Sequence, residues 1–199
     1  MRRAGRKPST LRMSSRPAAQ RLPVTSDAFL SGTGIGNEIA FYIFDYPPEA
    51  ELRVREHLRF LLEHIPKAKP GLRVSHVNLL DFVVAYLRQR QLLDKAIAMQ
   101  KTKGDAFVRN QLATLLHPNR IAPVFVEVAR PNEHDIVLVS GVGSVYPMLR
   151  THALLNNLHA IMGQTPLVLF YPGRYDSQAL RLFGKLKHDN YYRAFKLVP

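Results

Sequence analysis

Gly141, Val142, Gly143 and Ser144 follow an aliphatic run, Ile136–Val139, and precede Tyr146 and Pro147. Glycines placed after a buried strand and before a helix are the setting in which exposed backbone amides hold an anion. The spacing does not complete that chemistry. A dinucleotide loop needs a third glycine before the helix and a phosphate loop needs Gly-Lys-Ser or Gly-Lys-Thr, and neither occurs in this chain. Ser144 sits in Gly143-Ser144-Val145, but a nucleophile elbow needs glycine at 142 and 146, which are Val142 and Tyr146, so the segment reads as a turn. Eight histidines lie singly along the chain. His57 and His64, like His152 and His159, are seven apart, which on a helix is about 10.5 Å and too far for both to hold one ion. Asp45, Glu49 and Glu51 read as acids favoring a helix start. These residue types call for no catalysis, metal or cofactor.

The elements that would carry these residues alternate. Ile136–Val139 is a strand buried on both faces, and Pro147 suits the first turn of a helix whose apolar face runs through Leu149, Ala153, Leu154 and Leu158. Upstream, Ile39–Phe44 reads as a strand preceded by an alternating loop of Gly32, Gly34 and Gly36. A phosphate loop would instead follow its strand. A helix runs from Pro47 and Pro48 to about His64 and is broken over Pro66–Gly71, and Leu72–Leu79 alternates as a second strand. Helical spacing then continues from Leu80 past Arg90 to Lys103, with Gly104 separating a further helix that ends near His117. Ile121–Val128 fits strand or helix equally. Leu167–Tyr171 is a buried strand, Asp176 would cap a helix through Lys187, and Tyr191–Val198 alternates as a last strand. Strands alternating with helices predict one α/β layered domain over residues 26–199, with a mostly parallel sheet of Rossmann-like or degenerate P-loop-like kind.

The chain holds no cysteine and no apolar run long enough to span a membrane, so a soluble cytoplasmic protein is expected. Its net charge of +13 is uneven: +7 on residues 1–25, +1 on 26–145 and +5 on 146–199. Residues 1–25 read as a flexible basic tail in which Arg2, Arg3, Arg6 and Lys7, joined by Lys187, are candidate phosphate contacts. The bland reading is a solvating start. In the C-terminal segment, Arg174, Arg181, Lys185 and Arg193 are mixed with Tyr175, Tyr191 and Tyr192, the residue types of phosphate-binding and protein-binding surfaces alike.

Three blocks together resemble the BrxB family of BREX (bacteriophage exclusion) systems: Phe29–Arg55, Ser140–Asn157 and Pro166–Pro199. The resemblance implies a small non-enzymatic member of a phage-defence and DNA-modification assembly that works beside the phosphatase-like PglZ, the ATPase BrxC and the methyltransferase PglX. Residues 1–25 do not resemble the family's usual start. An adaptor reading makes Gly141, Gly143, Tyr146, Arg150, His152, Asn156, Arg174, Tyr175, Arg181, Lys185, Tyr191, Tyr192 and Arg193 the candidate partner contacts, with PglZ the expected partner. The other two readings are a nucleic-acid-binding module using the tail and C-terminal patch, and a degenerate nucleotide-binding protein.

Overall fold

The computed structural model describes residues 41–190 and 194–198, without the side chains of 187–190. The basic tail, the Gly32–Gly36 loop and Tyr191, Tyr192 and Arg193 lie outside these residues. Strand β1 (Phe41–Tyr46) leads through a short 3-10 turn (Pro48–Ala50) into α1 (Glu51–Ala68). Then come β2 (Val74–Asn78), α2 (Leu79–Gln89), α3 (Leu93–Leu115), α4 (Pro118–Ala129) and β3 (Ile136–Ser140). A one-turn helix α5 (Val142–Val145), α6 (Thr151–Leu158), β4 (Leu167–Tyr175), β5 (Ala179–Leu182), β6 (Leu186–Asn190) and β7 (Phe195–Lys196) complete the chain.

Five strands pair in parallel in the order β2-β3-β4-β1-β7, while β5 and β6 extend β4 as an antiparallel ribbon. The α/β layered domain with a mostly parallel sheet is therefore what forms. From β1 the chain crosses to the far edge and then returns through β3 and β4 to the side of β1. Right-handed crossovers made in opposite directions put their helices on opposite faces. On one face Leu58, Leu61 and Ile65 of α1 cover Tyr42, Ile136, Leu138, Val168 and Phe170. On the other, residues of α2, α4 and α6 such as Phe82, Phe125 and Leu154 cover Ile43, Val137, Val139, Leu167 and Leu169. Alternate residues of β3 thus serve two cores, which is why the strand is apolar throughout. The change of face beside β1 and β4 opens a crevice at the carboxyl ends of the strands, the usual ligand position in such sheets.

Several boundaries differ from expectation. The undecided Ile121–Val128 is helical: Pro118 begins α4, and Ile121, Ala122, Phe125 and Ala129 are buried at helical spacing. The break expected over Pro66–Gly71 ends α1 at Ala68, a few residues past His64, with Pro66 itself in the last turn. The helix expected from Pro147 starts at Thr151, after a separate turn of helix. The helix expected from Asp176 to Lys187 is a hairpin. Leu180, Phe183 and Leu186 imitate helical spacing, yet Leu180 and Leu182 are buried with Arg181 exposed between them, a period of two. Asp176 caps a turn instead, its Oδ1 accepting from the amides of Gln178 (3.1 Å) and Ala179 (2.8 Å).

Candidate contact surface at the carboxyl end of the sheet

Gly141 takes φ 77, a left-handed conformation that opens α5. It is buried, and a Cβ there would run into the Asn78 side chain. That side chain is already engaged, because Asn78 Oδ1 accepts from the amides of Leu80 (3.0 Å) and Asp81 (3.4 Å) to cap α2. Gly143 is close-packed for another reason: its Cβ would lie 3.0 Å from Phe183 and 3.2 Å from Pro172. Phe183 forms the tip of the β5–β6 hairpin, and its ring meets Tyr146 edge-on at 6.5 Å. The two candidate segments, far apart in sequence, are therefore clasped together through Gly143, Tyr146 and Phe183. Phe183 was not among the expected contacts, since a helical reading of its segment turned it inward.

A polar chain ties the same end of the sheet to α1. Tyr46 donates its hydroxyl to Glu51 Oε2 (2.6 Å), Arg55 Nε donates to Glu51 Oε1 (2.7 Å), and Arg55 Nη2 donates to Ser144 Oγ (3.0 Å). Burial, then the bond to Glu51, push the Tyr46 phenol far above its ordinary pKa, so it remains a donor. Asp45 Oδ2 accepts from the Tyr175 amide at 3.0 Å, and its Oδ1 lies 3.5 Å from Lys196 Nζ. The crevice of about 480 Å³ here is lined by Asp45, Tyr46, Pro47, Gly173, Arg174 and Lys196. In a doubly wound sheet the loop from β1 into α1 is where phosphates are cradled. This loop carries Pro47 and Pro48, which have no N–H to donate, and Glu49 and Glu51, which repel an anion. Its chemistry is opposed to a phosphate cradle.

The exposed side is basic. Arg174 of β4 pairs with Arg181 of β5, which pairs with Lys187 of β6. The register thus aligns the backbone positions of Arg174, Arg181 and Lys187 across three strands, with Arg174 and Arg181 exposed. Arg181 has Asp176 at 3.5 Å, while Arg174 has no hydrogen-bond or ion-pair partner among the described residues. Lys185 is exposed at the hairpin tip. Arg150 and Asn156 are exposed beside α6 but no hydrogen bond or ion pair joins them to the cluster among the described residues. Besides buried Gly141, two more expected contacts are interior. His152 is 8% exposed, and Tyr175 is 1% exposed, with its hydroxyl donating to the Ala194 carbonyl at 2.7 Å. Both are placed to shape the surface from beneath. Among the described residues no three His, Asp or Glu converge on a metal position, and no helix is long and apolar enough to cross a membrane.

This clasped turn lies within residues 75–197, which match the family model described as BREX protein BrxB. The chain belongs to the BrxB family. It is 42% identical over 180 residues to a BREX protein BrxB of Bacillus cereus (strain H3081.97), covering 89% of this chain and 93% of that protein. It is 37% identical over 176 residues to a BREX protein BrxB of Escherichia coli O9:H4 (strain HS), covering 88% of this chain and 86% of that one. No solved structure matches it with significance. The family match encloses the glycine turn, α6, the hairpin and the helices α2 and α3, whereas β1, α1 and everything before them precede its first residue.

Proposed function

We propose that the chain is a non-enzymatic adaptor of the BREX phage-defence system, and that the basic row with the Tyr146–Phe183 clasp meets an acidic surface of PglZ. The observation supporting this reading is the alignment of Arg174, Arg181 and Lys187 across three strands. Like charges placed directly opposite one another in an antiparallel pair destabilise it, and of the facing Arg174 and Arg181 only Arg181 has an ion-pair partner among the described residues, Asp176. A partner supplying carboxylates would satisfy the row, and the adjacent aromatic pair would add apolar contact, the usual composition of an interface center. The test is co-purification of the full chain with PglZ at micromolar concentration. The doubly substituted Arg174→Glu, Arg181→Glu chain is expected to bind at least about tenfold more weakly, since two facing charge pairs would become repulsive. No complex with the unsubstituted chain would overturn the reading.

A second reading is favored by the same row together with the +7 on residues 1–25: contact with nucleic acid. Its signature is DNA binding that falls steeply with salt and weakens when residues 1–25 are removed. BrxC and PglX remain further expected members of the same assembly.

A further inference from the structure

The strongest unassigned feature lies on the helical face, away from the basic row. Leu93–Leu115, α3, is two helical pieces joined by a kink at Gly104 (φ 79), where the sequence places a break, and only Ala96 and Leu112 in it are buried. It stands off α2 and leaves between them an apolar groove of about 490 Å³. The groove is lined by Leu80 and Val84 of α2, Leu93, Ile97 and Val108 of α3, and Met148 from the turn after α5. None of these six is fully buried, and Ile97 is 45% exposed. Apolar area held open to water in this way costs stability that a covering surface would recover.

The occupant can be argued from shape and charge. A groove between two helices fits a third helix, anchored at i, i+3 or i+4, and i+7. Leu80 to Leu87 spans two such turns, about 10 Å. Residues 79–115 carry six cations (Arg88, Arg90, Lys95, Lys101, Lys103, Arg109) against three acids (Asp81, Asp94, Asp105). Asp105 is engaged by Gln100 at 2.9 Å, whereas Arg109, also on the groove wall, has no partner among the described residues. The segment that walls the groove is therefore net positive. That disfavors the chain's own first 40 residues, which hold seven cations and two acids, and also a second copy of a chain whose net charge is +13. We infer that the α2–α3 groove docks an acidic amphipathic helix supplied by a different protein.

The test places a photo-crosslinker in the groove of the full chain, Gln100→p-benzoylphenylalanine, during co-expression with the other BREX proteins. Crosslinks are expected to fall on one segment of a single protein, with net negative charge and apolar residues at helical spacing. Two exposed substitutions, whose folding is checked by circular dichroism, then probe the contact. Ile97→Asp should lower crosslink yield about tenfold by removing an apolar anchor, and Arg109→Glu about threefold by reversing a rim charge. Crosslinks confined to residues 1–40 or to a second copy, a basic or non-helical target, yields unchanged by both substitutions, or no crosslink at all would overturn the inference. The Arg174 and Arg181 surface is intact in every one of these variants, so failure here is distinct from failure of the proposed PglZ contact.

Discussion

Tyr171 shows how a single side chain can sit in the interior at a cost. It is 1% exposed, and its hydroxyl has no hydrogen-bond partner among the described residues. Burial pushes its pKa far above that of a free phenol. A buried hydroxyl without a partner forfeits its hydration and regains nothing. Tyr171→Phe keeps the ring and removes the orphan, so it should raise the unfolding free energy in urea by about 1 kcal/mol. A loss of similar size would show that the hydroxyl is bonded after all. At this scale the sequence was partly readable. That Gly141 and Gly143 mark a constrained turn follows from residue type. That His152 and Tyr175 lie beneath the surface does not, because amphipathic rings occupy either side of a strand or helix and only the packing decides.

The hairpin is the element that most altered the reading. Its alternation of Leu180, Arg181 and Leu182 is short, and the apolar residues at 180, 183 and 186 give a competing period that only pairing with β4 resolves. The long elements were plainer, since β3, β4 and the helices bury enough apolar residues for their periodicity to show. Ile121–Val128 fits either type because its β-branched residues favor a strand while Pro118 suits a helix start, and burial of Phe125 and Ala129 against the sheet decides for the helix. The clasp between hairpin and glycine turn makes its own prediction. Gly143→Val would force its side chain against Phe183 and Pro172, at a cost of about 2 kcal/mol. Gly71→Ala, where a Cβ meets nothing within 4 Å, should change stability by no more than about 0.5 kcal/mol. Chemical denaturation of the two variants distinguishes a packed turn from a merely permissive one.

Across the whole molecule, stability should respond to acid in two stages. Loss of hydration lowers the pKa of His57 and, where its Nε2 turns toward Ser140 Oγ at 2.9 Å, that of His76. A histidine whose folded pKa lies below its unfolded value leaves the unfolded chain holding more protons, so stability falls as the pH drops through the usual 6.5. Asp135 is held below the usual carboxylate range by its hydrogen bonds from Arg73, and Asp176 by the amides of Ala179 and Gln178. Their folded pKa values are depressed, so their contribution is present above 3.8 and disappears only as the pH falls below it. Thermal unfolding from pH 8 to 3 should therefore show a first decline near neutrality, weakened in His76→Gln, and a second one in strong acid. A flat profile between pH 8 and 5 would contradict the first stage.

β7 is only two residues long, yet it runs parallel to β1, with the Leu197 amide donating to the Ile43 carbonyl at 2.8 Å. Parallel pairing means that the chain enters β1 at one pole of the sheet and leaves β7 at the other. The first 40 residues are thereby attached at the amino pole, while Arg174, Arg181 and the clasp face the carboxyl pole. Six residues of β1 separate the two, about 20 Å of rigid strand. The sheet then acts as a spacer: the point at which the chain enters β1 and the basic row are held apart by the length of that strand.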